Sequence, residues 1–335
     1  MKLDLDKVND SENLAKGQGR FTMKKIFGIR EVSLLLVIMG FAVILSFLSP
    51  YFFSVSNLSI TGIGLASDGI IAIGMTVALV LGGIDLSVGS VMALSSVVTG
   101  SLHLAGVNIW LAAFIGLVSG ILCGILNGYL IGKVKLDSFI TTLGMMSIAR
   151  GCSYVLTQGS PLSLAGMSRS FTFLGSGQIF GLPMMVLFFL LATLLMDLAL
   201  RRSAIFRQVF YVGSNEKAAV LSGINVTKVK MGVFILTAVL ASIAGILTAS
   251  RFTVAQPNAG TGAELRAIAA CVIGGASLNG GEGTVLGAVL GVILLAFVNN
   301  ALILLNVSVY WQDLITGVVL ITAVLIDFIT HRSSK

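Results

Sequence analysis

Residues 211–229 of the chain read YVGSNEKAAVLSGINVTKV, a polar stretch rich in small residues within an otherwise apolar sequence. Three arginines precede it between residues 201 and 207, and Lys228 and Lys230 close it. Basic residues that flank a membrane span mark its cytoplasmic side. The stretch therefore predicts a short cytoplasmic helix between two spans that serves as a binding site for a partner protein.

The residues inside this stretch support a capped helix of about two turns. Ser214 or Asn215 is a good N-cap, and Glu216 would lie in the first turn against the positive helix end. Gly223 can adopt the left-handed conformation that ends a helix. We call residues 213–224 the coupling segment. Its predicted contact residues are Gly213, Ser214, Asn215, Glu216, Ala218, Ala219 and Gly223.

The composition places the chain in the membrane. Of its 335 residues 56% are hydrophobic and 10% charged, far fewer charges than a soluble domain carries. The net charge of +7 is no sign of nucleic-acid binding, because the Lys and Arg residues lie at span ends. The three cysteines show no metal-ligand spacing and are interpreted as small apolar residues. We expect an all-α protein in contact with membrane lipid.

Ten apolar runs are long enough to be membrane spans. A path of ten spans with both termini in the cytoplasm places 17 of the 21 basic residues on that side. The predicted organisation is a cytoplasmic tail (1–31), a transmembrane domain (32–330) with a cytoplasmic coupling loop (201–230), and a C-terminal tail (331–335). The predicted spans are 32–49, 59–81, 88–106, 109–132, 136–157, 182–200, 231–250, 264–279, 283–305 and 312–329.

Two glycine-rich stretches interrupt the helical pattern. They read GGIDLSVGS at 82–90 and GGASLNGGEG at 274–283, and both contain GG-x-x-L. Broken or re-entrant helices of this kind recur at transport pathways. The alternative for the first stretch is a tight cytoplasmic turn in which Asp85 or Ser87 caps the third span. Both roles remain open, and Asp85 and Ser87 are candidate pathway residues.

Several kinds of site are missing from the sequence. It has no phosphate-binding loop of the Gly-x-x-x-x-Gly-Lys-Ser/Thr type, no His-Glu-x-x-His motif and only two distant histidines. We therefore expect no catalytic residue, no metal and no cofactor in this chain. A glycine-rich membrane protein without catalytic residues is most simply a conduit.

Two loops are predicted on the external face, at 158–181 and 251–263. They are either ordinary connections or the docking face for an external partner. The second loop is the better candidate, because it leads into an unusual span. Its candidate docking residues are Gln256, Pro257, Asn258 and Thr261.

The pattern Glu216-x-Ala218-Ala219-x-x-x-Gly223 resembles the coupling loop of ATP-binding-cassette importer permeases, which docks into the ATPase subunit. Lys217 is a slight departure from the family pattern. Residues 82–90, 215–230 and 255–287 are together similar to the ribose-type monosaccharide permeases, and the resemblance covers nearly the whole chain after residue 31.

The resemblance implies a permease subunit in the bacterial inner membrane that moves a monosaccharide inward by alternating access. It also implies four partners: a second permease subunit, identical or not, a cytoplasmic ATPase that holds ATP and Mg, an external sugar-binding protein and the sugar itself. Ribose, galactose, xylose, arabinose and furanose or autoinducer-type relatives all remain open.

Polar residues inside the spans are candidates for the translocation path, because their burial in lipid is costly. Asp68 could accept hydrogen bonds from sugar hydroxyls, bind an Arg from another span, or lie in the wet interface one or two turns into its span. Asn299 and Asn300 point about 100° apart, so one can face the conduit and the other a packed helix. Arg150 is expected to bind a carboxylate or a carbonyl.

Two other functions fit parts of the sequence. An ion-coupled secondary transporter of a small polar solute would explain the broken helices and Asp68. It would not explain the capped cytoplasmic helix. A membrane scaffold would need neither broken helices nor polar residues in its spans.

Overall fold

The structure is a computed structural model that describes residues 30–308 and, beyond them, 310–311, 314–315, 317–318, 321–322 and 325. Nearly all regular structure within these residues is α-helical. The helices are α1 (Arg30–Leu48), α2 (Val55–Val80), α3 (Val88–Leu104), α4 (Ile109–Tyr129), α5 (Ser138–Thr157), α6 (Arg169–Ser176), α7 (Met184–Arg202), α8 (Ala204–Ser214), α9 (Glu216–Leu221), α10 (Val226–Phe252), α11 (Ala263–Ile273) and α12 (Val285–Leu304). A π-helical turn, Leu130–Val134, extends α4.

The predicted spans match helices at nine of ten positions, with ends that differ by up to five residues for eight of them. In the part of the chain that the structure describes, seven helices are long and apolar enough to cross a membrane, and α3 is shorter. The predicted span 264–279 is wrong in length, because α11 ends at Ile273 and rises only about 16 Å. The span 312–329 and the tails fall largely or wholly outside the described residues.

Capping side chains fix where several helices begin. Ser54 accepts a hydrogen bond from the backbone of α2, Asn108 does so for α4, and Asp137 does so for α5. These short polar side chains bind the amides that a helix leaves free in its first turn. Asn225 and Thr284 serve α10 and α12 in the same way.

Helix α10 is the centre of the bundle and packs against α2, α3 and α4. Four glycines of α4, one at every fourth position, place its backbone directly on these neighbours. A Cβ atom added at any of them would overlap atoms of α3 or α10. Small residues at such spacing let membrane helices approach closely. The four are Gly116, Gly120, Gly124 and Gly128.

The two glycine-rich breaks begin with the same helix stop. Gly82 after α2 and Gly275 after α11 have φ of 82° and 93°. The residue after each glycine donates its amide to a carbonyl five residues back, as in a Schellman motif. Structurally, Gly82 corresponds to Gly275. The GG-x-x-L match in the sequence instead pairs Gly82 with Gly274, so the two alignments differ by one residue.

The two ends of the bundle differ in structure. One end carries α8 and α9, and we call it the coupling end. The other end, the loop end, carries two short antiparallel strand pairs. Leu162–Ser163 (β1) pairs antiparallel with Val254–Ala255 (β4), and Gln178–Ile179 (β2) pairs with Leu182–Pro183 (β3). Both loops predicted to be external therefore meet there, and 158–181 also contains the unpredicted helix α6.

The three cysteines are free: Cys123 and Cys271 are buried, and Cys152 is exposed on α5.

Candidate functional site

The coupling segment has the predicted caps. The side chain of Asn215 accepts a hydrogen bond from the amide of Ala218 at 3.0 Å. Glu216 lies in the first turn of α9 and pairs with Lys230 at 2.8 Å, which ties α9 to the start of α10. Gly223 has φ of 81° and closes the helix in the left-handed conformation. The prediction of a short, capped helix is confirmed.

The face that α9 presents differs from the predicted one. Ala219 is 3% exposed and packs into the core, so it supports α9 from within and offers no contact surface to a partner. Ala218 is exposed, and the tip carries two apolar side chains, Val220 and Leu221, which are 56% and 89% exposed. Sequence reasoning missed these two side chains, although an apolar pair in a polar loop was a visible signal.

Gly213 joins the coupling segment to both glycine-rich breaks. A Cβ atom at Gly213 would overlap the carbonyl oxygen of Val80, the last residue of α2. That carbonyl accepts a hydrogen bond from the amide of Gly281 at 2.8 Å. A Cβ at Gly280 would lie 2.8 Å from both the Gly213 carbonyl oxygen and Gly82 Cα. We call Gly82, Gly213, Gly280 and Gly281 the glycine joint.

Asp68 lies near the middle of α2, 13 residues after Val55 and 12 before Val80, or about 18–20 Å from either end. Asp68 therefore lies deeper in the helix than the one or two turns from the external end that the sequence predicts. Both of its carboxylate oxygens accept hydrogen bonds from Arg266 of α11, at 2.9 and 3.2 Å. Of the three alternatives for Asp68, the structure shows the pairing with an Arg.

This ion pair lies between two open cavities and lines both of them. One, of about 350 Å³, is also lined by Met92, Thr248 and Arg251. The other, of about 560 Å³, is also lined by Thr61 and Asn299 and runs along α2, α11 and α12. Their volumes fall in the range of small-molecule sites. The pair therefore adds charge to two otherwise mainly apolar recesses.

Asn299 and Asn300 both line the larger cavity, so the expected division between conduit and packed helix is not seen, but Asn300 also binds a neighbouring helix. Asn300 is 6% exposed and exchanges two side-chain hydrogen bonds with Asn57 of α2, at 2.7 and 3.1 Å. Asn299 lies on the wall of the larger cavity. One amide thus fastens α12 to α2, and the other is available to a ligand.

Asp85 and Ser87 lie away from these cavities, each only 1% exposed. The Asp85 carboxylate accepts hydrogen bonds from the Ser87 amide and hydroxyl and from the Thr237 hydroxyl of α10. Asn127 of α4 donates to the Ser87 hydroxyl. Ser87 occupies the N-cap position of α3 but makes no side-chain cap bond. In this conformation the two residues join α3, α4 and α10.

The loop 251–263 does not stay at the loop end. Ala255 lies against Gly100 of α3, whereas Gly260 lies against Gly89, eleven residues earlier on the same helix. Residues 256–262 therefore run alongside α3 from near Gly100 toward Gly89, two positions about 16 Å apart on that helix. We call residues 256–262 the re-entrant segment. Gln256, Asn258 and Thr261 are exposed on it, but Pro257 is buried and unsuited to docking.

Arg150 and Arg266 hold this segment from two sides. Arg150 of α5 donates to the carbonyls of Pro257 and Ala259, which confirms the expected carbonyl partner. Arg266 donates to the carbonyl of Thr261 as well as to Asp68. Within the described residues no cluster of three or more His, Cys, Asp or Glu side chains could hold a metal ion.

Comparison with known proteins gives this architecture a family. The family described as "Branched-chain amino acid transport system / permease component" matches residues 61–324, which include the glycine-rich breaks, the coupling segment and α11. The chain belongs to this permease family. It is a multi-pass membrane transport subunit, and the family's chains are not enzymes.

Curated relatives of this permease cover most of its length. The ribose import permease protein RbsC of Bacillus subtilis (strain 168) is 40% identical over 85% of this chain and 88% of its own. RbsC of Escherichia coli (strain K12) is 39% identical over 92% and 97%. The L-arabinose transport system permease protein AraH of E. coli (strain K12) is 35% identical over 85% and 87%. No solved structure gave a match to the chain.

Proposed function

We propose that this permease is the transmembrane subunit of an ATP-driven importer that moves a monosaccharide into the cytoplasm. The observation that carries the proposal is the 35–40% identity, across nearly full length, to permeases named for ribose and L-arabinose. The expected location is the bacterial inner membrane. None of these three relatives is named as an ion-coupled carrier.

The family implies an ATPase and an external binding protein as partners, and the two ends of the bundle offer a surface for each. A cytoplasmic ATPase would bind the coupling segment, with the exposed Val220 and Leu221 as apolar contacts. A sugar-loaded external binding protein would bind the loop end. This assignment places both termini in the cytoplasm and the tail 1–31 and the loop 201–230 beside the ATPase. It keeps ten membrane crossings, one formed by residues 256–262 together with α11 and one by the predicted span 312–329.

The proposed translocation path follows the cavity along α2, α11 and α12. Asp68, Arg266 and Asn299 supply acceptors and donors that sugar hydroxyls can use. Polar groups at this depth must face protein or water, because lipid cannot satisfy them. A second permease subunit, identical or related, would therefore cover this open face and complete the cavity.

The proposed mechanism is alternating access. ATP binding would close the ATPase pair, and the coupling segment would carry that motion to α2 and α12 through the glycine joint. Such a machine needs a two-state element that nucleotide and binding protein both bias. Asp85 and Ser87 would act in it by holding α3, α4 and α10 together.

Reconstitution tests this function directly. The permease, its ATPase and its binding protein in proteoliposomes should accumulate a radiolabelled pentose or hexose only with ATP. Uptake driven by a Na⁺ or proton gradient without ATP would refute the proposal. ATP hydrolysis by the purified permease alone would also count against it.

A further inference from the structure

The re-entrant segment is a run of consecutive turns packed along α3, and all of its backbone carbonyls have partners. The carbonyls of Gln256, Asn258, Gly260 and Gly262 accept hydrogen bonds from amides three or four residues later. The remaining three carbonyls are bound by arginine side chains. They belong to Pro257, Ala259 and Thr261.

Arg150 serves two of these three carbonyls with a single nitrogen. Its Nη1 atom lies 2.6 Å from the Pro257 oxygen and 2.8 Å from the Ala259 oxygen. Arg150 belongs to α5, which makes no other contact of this kind with the segment in the described residues. A buried carbonyl without a donor is costly, so this side chain fixes the path of the segment.

The segment connects the loop end with the ion pair on the cavities. At its upper end β4 pairs with β1 of the loop 158–181. At its lower end it continues into α11, whose first turns carry Arg266, and Arg266 bonds both Thr261 and Asp68. Movement of the loop end therefore has a direct covalent and hydrogen-bonded route to the cavity wall.

We propose that Arg150 is a positioning residue that makes the re-entrant segment a stiff link between the docked binding protein and the Asp68–Arg266 pair. The proposal rests on the function proposed above. Without Arg150 the segment would change conformation more easily, and docking at the loop end would no longer alter the Asp68–Arg266 pair.

The test compares stimulated and basal ATP hydrolysis by the complete complex in proteoliposomes. The Arg150→Gln complex should assemble and keep its basal rate of ATP hydrolysis. Its stimulation by sugar-loaded binding protein should be roughly tenfold smaller than that of wild type. Arg150→Lys should recover part of the stimulation, because an ammonium can serve the same carbonyls. Arg201→Gln, which removes a surface pair with Asp197, is the matched control and should behave as wild type.

Stimulation of Arg150→Gln equal to that of wild type overturns the inference. A wild-type complex that imports no monosaccharide overturns the proposed function instead.

If Arg150→Gln does not assemble, a variant with Arg150 intact answers the same question. A fluorophore on Thr61→Cys, which lines the larger cavity together with Asp68, in a Cys152→Ser background, should change its emission when loaded binding protein is added. The same label in Arg150→Lys should respond less. Unchanged emission with Arg150 intact also overturns the inference.

Discussion

Gly213→Ala is expected to destabilise the protein, although alanine normally favours a helix. Gly213 lies in the last turn of α8, and its φ is not positive, so the substitution strains no backbone angle. By helix propensity alone, alanine would stabilise this turn by up to about 1 kcal/mol. The packing around the residue opposes this gain.

The added methyl would overlap the carbonyl oxygen of Val80 and lie 2.8 Å from the amide nitrogen of Gly281. Forcing a methyl into a packed site costs about 1–3 kcal/mol. Displacing the Gly281 to Val80 hydrogen bond adds about 1 kcal/mol. Gly213→Ala should therefore lower the free energy of unfolding by about 1–3 kcal/mol. The added methyl would push the coupling segment away from the ends of α2 and of the second break.

Thermal unfolding in detergent measures the stability, with Gly144→Ala as the matched control. Gly144 is a glycine of α5 with no atom within 4 Å of an added Cβ, so alanine there should be neutral or stabilising. In proteoliposomes, Gly213→Ala should also raise the ATP hydrolysed per sugar imported. A Gly213→Ala protein as stable as Gly144→Ala would refute the importance of the glycine joint.

Three further substitutions test other contacts. Asp68→Asn should lower transport and reduce the free energy of unfolding by about 1–3 kcal/mol, less than the loss of a fully buried pair, because the Asp68 and Arg266 side chains are 31% and 29% exposed. The double variant Asp68→Arg with Arg266→Asp should recover this stability in a melting experiment. If it does not, the pairing is contradicted. Leu221→Asp should leave the free energy of unfolding within about 0.5 kcal/mol of wild type, since the side chain is exposed, but should abolish copurification with the ATPase. An intact complex would exclude Leu221 from the contact. Gly223→Val should destabilise the protein by about 1–2 kcal/mol, because a φ of 81° is strained for a β-branched residue. A normal melting temperature would contradict the left-handed stop.

The helices could be predicted from the sequence because each long apolar run has one physical solution in a membrane. The ends of the coupling helix followed from Asn215 and Gly223, whose chemistry acts locally. The inward face of Ala219 could not be predicted, since α9 has only six residues and shows no periodicity.

Contacts between distant residues set the other limit. Asp68 and Arg266 are 198 positions apart, and one sequence does not show which opposite charges meet. The signal was partial: Asp68 and Arg266, like Arg150, are charged residues inside predicted spans, and each needed a partner. The re-entrant segment looked like a surface loop because it is polar and rich in small residues. Its position against α3 depends on arginines from α5 and α11 that bind its backbone carbonyls.

The glycine seam of α4 constrains how the bundle can move. With Gly116, Gly120, Gly124 and Gly128 in backbone contact with α3 and α10, sliding by one residue would bring bulkier side chains such as Leu117 or Ile121 against the neighbouring main chain. The seam thus has a single low-energy register, and the three helices should travel as one rigid block. Movement of this block relative to the rest of the protein would then have to take place at its borders, where α10 packs against α2, and not within the seam.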